Sequence, residues 1–186
     1  RTIQSDGSVL IYVAKASIYN KKIITDFKKY IDLCPEIKDR NALRFIAQLK
    51  QYIGGGYSQE SALYSQMLDM MRRGVVIHHG SLPLQARLII EEFTKAGHCR
   101  ICFATSTLEQ GINMPFDVVY LHRFEASRQL ALKNLIGRAG RSSQERKFDF
   151  GYVIIKKDNL SDFRKIMTSD EVMKEISALE DSEEHD

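Results

Sequence analysis

Five short apolar runs recur along the chain, and each predicts a β-strand. Every run is four to six residues long and has few polar positions, as is typical of strands buried on both faces of a parallel sheet. The runs are Val9–Ala14, Val75–His78, Arg100–Thr105, Asp117–Leu121 and Phe150–Ile155. Stretches with helical spacing lie between them, so the pattern predicts an α/β fold with a mainly parallel sheet of five to six strands.

Apolar residues at intervals of three and four positions predict the helices. The first helix carries Ile18 to Ile31, and two more stretches follow it, Leu43–Ile53 and Ala62–Met71. Gly54–Gly56 between these two indicates a flexible joint rather than a phosphate loop, because no Lys-Ser/Thr pair follows it. Further helices are predicted at Leu88–Phe93, Ser127–Ile136, Leu160–Met167 and Asp170–Leu179.

The composition is that of an ordinary globular domain. The chain has 186 residues, of which 44% are hydrophobic and 27% charged, and this length fits a single domain. No apolar stretch reaches the roughly 18 residues that a membrane span needs. Three cysteines argue against a disulfide scaffold and for a reducing compartment, so we expect a cytoplasmic location, or a nuclear one in a eukaryote.

The charge is unevenly distributed. Residues 167–186 carry eight acidic side chains against one lysine, so the total of +3 leaves +10 for residues 1–166. A basic body is the electrostatic signature expected for a phosphate-rich partner such as nucleic acid, although many solvated surfaces are mildly basic.

A pair of cysteines and a pair of adjacent histidines could each suggest a metal site. Cys99 and Cys102 form a CxxC, but no second pair stands at zinc spacing and Cys102 lies in a predicted strand, so we interpret it as a core residue. His78 and His79 are neighbours on a strand and should point to opposite faces, one to the core and one to the rim. No metal site is predicted.

The candidate chemistry centres on Leu132–Ser142, with the sequence LKNLIGRAGRS. Arg138 and Arg141 stand three positions apart among small residues, and two forked guanidinium groups suit phosphate oxygens. Taken alone, the tract is more typical of a helix that ends in glycines and carries two solvated arginines.

A second tract, Arg100–Leu121, reads RICFATSTLEQGINMPFDVVYL. In this order and at this distance the two tracts resemble motifs V and VI of a superfamily 2 helicase, in the second RecA-like domain of superkiller-type and related bacterial DEAD/DEAH-type enzymes. The resemblance covers about Ser8 to Lys157. It implies a three-layer αβα RecA-like domain over residues 1–166, a helical insertion at about 33–74, and an acidic tail at 167–186 that leads to later domains.

The resemblance implies a nucleotide-binding role for one group of residues. Arg138 and Arg141 correspond to the arginine finger, which acts on the γ-phosphate, and we expect both to face the crevice at the carboxyl end of the sheet. Relatives often have an acid at the position of Asn113 and a glutamine at that of Asn134. The other residues implied on the nucleotide side are Gly111, Asn113, Asn134 and Gly137.

A second group is expected to contact nucleic acid. By resemblance Thr105 touches a phosphate, and the HHGSLP turn at 78–83 would bring Gly80 close to the backbone. Lys15 opens a helix, where free N–H groups favour a phosphate, although a plain N-cap with a solvated lysine explains that position equally well. The full set is Thr105, Thr107, Gly80, Arg87, Lys15 and Ser17.

The sequence contains neither a GxxxxGK[ST] phosphate loop nor a DExH box. We therefore expect ATP and Mg²⁺ to be held mainly by an N-terminal RecA-like domain, and the chain, which begins at Arg1, to be a fragment without ATPase activity of its own. The predicted function is ATP-dependent unwinding or translocation on DNA or RNA. The alternative is a non-catalytic binding module derived from a helicase. A standalone Rossmann protein is disfavoured because the first strand–helix turn is not glycine-rich.

Overall fold

The computed structural model describes residues 3, 7–53, 59–105, 114–140 and 151–169. Their five strands form one sheet in the order β2-β3-β1-β4-β5, and every neighbouring pair is parallel. The five predicted strands are thus confirmed, most of them one or two residues shorter than expected. The strands are β1 Val9–Tyr12, β2 Val75–His78, β3 Ile101–Ala104, β4 Val118–Leu121 and β5 Tyr152–Ile155.

Helices cover both faces of the sheet. The register aligns Ile11, Phe103 and Tyr120 on one face, where Phe27 packs with its ring centroid 5.3 Å from that of Phe103 and 6.3 Å from that of Tyr120. Phe27 belongs to α2 (Lys22–Asp32). The right-handed crossover rule places α5 (Leu84–Lys95) and α6 (Gln129–Ile136) on the opposite face. The three-layer αβα arrangement that the resemblance implied is therefore confirmed.

The first predicted helix is two helices. α1 (Lys15–Tyr19) ends before Lys21, which has a left-handed φ of 58° and precedes α2. The side-chain oxygen of Asn20 accepts a hydrogen bond from the Lys22 amide at 3.1 Å, in place of a continuing helical bond. The apolar period runs on across this break, so periodicity alone predicted a single helix, and that prediction was wrong.

The region predicted as an insertion contributes α3 (Arg40–Ile53) and α4 (Gln59–Met71), so both helical stretches are confirmed. α3 packs against α5, with the Phe45 and Phe93 ring centroids 6.2 Å apart. Asp39 accepts a hydrogen bond from the Ala42 amide at 2.9 Å and lies 3.6 Å from Nε2 of His98. These contacts join α3 to the main body, whereas the predicted joint at Gly54–Gly56 lies outside the described residues.

The described chain ends on α7 (Leu160–Thr168), which packs beside α6. The ammonium group of Lys133 donates a hydrogen bond to the Ser169 carbonyl at 2.8 Å, and Ile166 is buried. α7 extends slightly past the domain boundary predicted at 166. The helix predicted at Asp170–Leu179 lies outside the described residues.

The three cysteines are buried. Burial raises the pKa of the Cys99 thiol to about 12 and that of Cys102 well above its usual value, so both are protonated core side chains. This confirms the interpretation of Cys102 as a core residue. Across the described part of the chain, no group of three His, Cys, Asp or Glu side chains is placed to hold a metal ion, and no helix has the length and apolar character to span a membrane.

Candidate functional site

The loop Gly137–Gly140 lies at the amino end of the sheet. Because α6 follows β4 and runs back along it, the residues after Ile136 return to the level at which β4 begins. Phe116, two residues before β4, forms a parallel bridge with Ala139. The Phe116 amide donates to the Arg138 carbonyl at 3.1 Å, and the Gly140 amide donates to the Phe116 carbonyl at 2.7 Å. The loop backbone therefore lies beside the start of β4, whereas the charge of the Arg138 side chain acts on His78, the last residue of β2.

The turn that presents Arg138 is internally hydrogen-bonded. The Gly137 amide donates to the Lys133 carbonyl at 2.9 Å, and the Arg138 amide donates to the Leu135 carbonyl at 3.1 Å, which tightens the last helical turn. Gly137 has a right-handed φ of −61°, and the left-handed residue is Gly140, with φ 73°. Any contact between Gly137 and a nucleotide would therefore use close approach of its backbone rather than a free amide.

The Arg138 side chain is half-buried, and its charge acts on His78 and Glu91, as does the charge of Arg87. Burial and then the positive charges of Arg87 and Arg138 lower the pKa of His78 to about 4. Burial raises the pKa of Glu91, and the same two arginines oppose that rise. We call these four residues the His78 cluster. It combines two guanidinium groups with a neutral imidazole, and guanidinium groups are suited to anions such as phosphate.

The two adjacent histidines point to opposite faces, as predicted, but both are buried, so the prediction of a rim histidine was wrong. The ring nitrogens of His78 have no hydrogen-bond partner among the described residues. His79 packs on α1, with its ring centroid 5.7 Å from that of Tyr19. Burial and the nearby charge of Lys15 lower the pKa of His79 to about 4.

α1 begins at Lys15, as predicted. The exposed ammonium group of Lys15 lies 5.6 Å from the centre of the Tyr19 ring, in a cation–π contact. The Ser17 amide donates to the Ala14 carbonyl at 3.0 Å, and the N-cap residue Ala14 makes no side-chain cap. The ammonium group of Lys15, rather than the Ser17 amide, is therefore the group that this helix start offers to a phosphate.

Residues from three strands meet at the carboxyl end of the sheet. Thr105 follows β3 and donates its amide to the His78 carbonyl at 3.3 Å, while Gly80 lies two residues beyond β2 and Lys15 lies beyond β1. Thr105 is only 3% exposed, whereas Gly80 and Lys15 are exposed. Gly80 and Lys15 therefore supply the accessible surface of this edge. Arg87, assigned to nucleic acid from the sequence, lies in the His78 cluster with Arg138.

The remaining predicted residues divide into two groups. Asn134 is exposed on α6, on a strip that it shares with Leu130 and Gly137 at spacings of four and three residues. Arg141, Thr107, Gly111 and Asn113 lie outside the described residues.

Sequence reasoning missed Asp117, a buried carboxylate at the amino end of the sheet. Its Oδ2 accepts hydrogen bonds from the Ser8 amide at 2.7 Å and the Ser8 hydroxyl at 3.2 Å. Its carbonyl accepts a hydrogen bond from the Tyr152 amide at 3.1 Å. Asp117 thereby joins the starts of β1, β4 and β5 next to the Gly137–Gly140 loop. The available signal was an acidic residue that opens an otherwise apolar run.

Comparison with known proteins agrees with this architecture. The helicase conserved C-terminal domain family matches residues 27–143. The chain is 28% identical to the Hachiman protein HamB of Bacillus cereus over 145 residues, which cover 73% of this chain and 12% of that protein. It is 31% identical to the ATP-dependent DNA helicase Hel308 of Aeropyrum pernix over 103 residues, 51% of this chain and 14% of that protein. It is 35% identical to DNA polymerase theta of Mus musculus over 158 residues, 75% of this chain and 6% of that protein. The chain thus spans a small part of each relative.

Proposed function

Because the chain belongs to the helicase conserved C-terminal domain family, we propose that it is the second RecA-like motor domain of an ATP-dependent helicase or translocase. The observation that carries the proposal is that one parallel sheet holds both candidate sites, the loop with Arg138 and the edge with Lys15 and Gly80. The loop with Arg138 lies at the amino end, and the edge formed by Lys15, Gly80 and Thr105 lies at the carboxyl end. One rigid sheet would therefore connect a nucleotide site with a nucleic-acid site.

Arg138 and Arg141 act as arginine fingers on a nucleotide shared with a neighbouring domain. Two groups on this side fit a phosphate: the Arg138 guanidinium, held in a cationic cluster, and the backbone of a turn with little side-chain bulk. The positive charge of the guanidinium groups would stabilise the negative charge that develops on the transferred phosphoryl group. The exposed strip with Asn134 and Gly137, together with Gly111 and Asn113, would contact the rest of the nucleotide.

ATP and Mg²⁺ are assigned mainly to the N-terminal RecA-like domain of the same protein. A phosphate loop holds the β- and γ-phosphates, and acidic residues hold Mg²⁺, in enzymes of this chemistry, and neither motif occurs in this sequence. The residues of this chain would sense the γ-phosphate and release it after hydrolysis, which reopens the cleft between the two domains.

At the carboxyl end, Lys15 and Gly80 would supply the accessible contacts to the sugar-phosphate backbone of one nucleic-acid strand. Thr105 and Thr107 are assigned to the same strand from the sequence resemblance alone. Backbone contacts bind independently of sequence and weaken as the salt concentration rises. The names of two relatives, an ATP-dependent DNA helicase and a DNA polymerase, favour DNA as the substrate.

The decisive experiment compares Arg138→Ala and Arg141→Ala in the full-length protein that contains this chain. Each variant should lose nearly all nucleic-acid-stimulated ATP hydrolysis and keep its affinity for ATP, because removal of an arginine finger costs about 10³–10⁵ in rate in GTPases. Arg164→Ala, at an exposed position on α7, is the matched control and should hydrolyse ATP normally. Wild-type turnover in both finger variants would favour the alternative, a helicase-derived binding module without catalysis.

A further inference from the structure

The backbone of Gly151 lies against the peptide that joins Ala139 and Gly140. A Cβ atom at position 151 would lie 2.4 Å from the carbonyl carbon of Ala139 and 2.6 Å from the amide nitrogen of Gly140. These distances are far below van der Waals contact, and the obstructing atoms are backbone atoms that cannot rotate away. Glycine is therefore required at position 151 by close approach.

The contact arises because the Gly137–Gly140 loop and the start of β5 donate hydrogen bonds to two successive carbonyl groups just before β4. The Gly140 amide donates to the Phe116 carbonyl at 2.7 Å, and the Tyr152 amide donates to the next carbonyl, that of Asp117, at 3.1 Å. The Gly137–Gly140 loop and the start of β5 are thus held side by side. Gly151 occupies the junction between them.

We infer that Gly151 is a positioning residue for Arg138, because its missing side chain allows the Gly137–Gly140 loop to be clamped between Phe116 and the start of β5. The inference rests on the proposed role of Arg138 in nucleotide hydrolysis. Arg138 directly precedes the clamped peptide, and its own carbonyl accepts one of the two bonds to Phe116. Relief of a 2.4 Å contact requires a displacement of about 1 Å, and a misplacement of that size can reduce a reaction rate about a hundredfold.

The test is Gly151→Ala in the full-length protein, measured by ATPase kinetics and by hydrogen exchange. The kcat for nucleic-acid-stimulated ATP hydrolysis should fall about tenfold to a hundredfold, whereas the affinity for nucleic acid should not change. The amides of Phe116 and Gly140 should lose protection, while those of β1 and β3 keep it.

Gly97→Ala is the matched control. Gly97 has a left-handed φ of 80°, so alanine strains the backbone there, but an added Cβ has no atom within 4 Å. This variant should lose some stability and keep both wild-type kcat and the protection of the two loop amides. An equal fall in kcat in both variants would show a general effect of lower stability and would overturn the inference.

The kinetic and exchange measurements separate this inference from the proposed function. Wild-type kcat or intact loop protection in Gly151→Ala, in a protein that Arg138→Ala inactivates, overturns the positioning role. If Arg138→Ala itself retains turnover, the proposed function fails, and the exchange data alone decide whether Gly151 clamps the loop.

If Gly151→Ala does not fold, substitutions of Gly140 carry the test. Its φ of 73° is tolerated by asparagine and strongly disfavoured for valine. Gly140→Val should therefore reduce kcat much more than Gly140→Asn, and equal, wild-type rates in the two variants would overturn the inference.

Discussion

The carbonyl oxygen of His78 accepts a hydrogen bond from the Thr105 amide at 3.3 Å, which joins the carboxyl ends of β2 and β3. The same histidine places its buried ring in the electrostatic field of Arg138, whose backbone lies at the other end of the sheet. One residue therefore bonds to the proposed nucleic-acid edge through its backbone, while its ring lies within the electrostatic influence of the proposed arginine finger.

Replacement of His78 should uncouple the two sites. His78→Leu keeps a similar volume and removes ring nitrogens that bond to no described residue, so we expect the free energy of unfolding to change by less than about 1 kcal/mol. Because the polar ring on which the charges of Arg87 and Arg138 act is lost, the stimulation of ATP hydrolysis by nucleic acid should fall about fivefold or more, within the usual range of coupling energies. Steady-state ATPase assays with and without nucleic acid measure this ratio. If the ratio of ATP hydrolysis with and without nucleic acid does not change, His78 does not couple the two sites.

The two buried histidines should make stability depend on pH. Their pKa values of about 4 lie below the ordinary value of 6.5, so the unfolded chain binds more protons than the folded chain between these limits. The free energy of unfolding therefore reaches its full value above pH 6.5. It decreases as the pH falls towards 4, by up to about 1.4 kcal/mol per pH unit for each histidine. Urea denaturation at several pH values measures the slope. The slope of the free energy of unfolding against pH should be smaller in His78→Leu than in the wild type. An equal slope would contradict the lowered pKa of His78.

α3 should be a stable part of the domain rather than a mobile appendage. Phe45 packs against Phe93 and His98, with ring centroids 6.2 and 6.3 Å away. Phe45→Ala should lower the free energy of unfolding by about 1–3 kcal/mol, because it opens a cavity between α3 and α5. Tyr52→Ala, also on α3 but 50% exposed, should change it by less than about 0.5 kcal/mol. Equal changes in the two variants, measured by urea denaturation, would indicate that α3 is not docked as described.

The ammonium group of Lys15 should contribute one phosphate contact. Lys15→Ala should weaken binding to single-stranded nucleic acid of any sequence and reduce the slope of log K against log salt by about 0.7. Lys28→Ala is the control, since Lys28 lies on α2 and is paired with Asp32 at 2.7 Å. Fluorescence anisotropy titrations at several salt concentrations measure both slopes. A wild-type slope in Lys15→Ala would place the nucleic acid elsewhere.

Much of the fold could be predicted from local pattern. β2 has the predicted bounds Val75–His78, because a strand buried on both faces reads as a continuous apolar run. The division between α1 and α2 could not be predicted from periodicity, because it depends on a hydrogen bond from the Lys22 amide to the Asn20 side chain rather than on the spacing of apolar residues.

The sequence by itself determined which residues are candidates for the site, since the GRAGR and ATSTLEQGINMP tracts are contiguous. Only the tertiary structure decided where Arg138 and Thr105 lie. The reversal of chain direction in α6 returns the backbone of Arg138 to the amino end of β4, and the fold places Arg87 and Arg138 where their charges act on the ring of His78. The bond between Ser8 and Asp117 joins residues 109 positions apart, and Gly151 lies against Ala139, a residue distant from it in the chain. Contacts of this kind depend on how distant segments pack, and they leave no periodic signal in the chain.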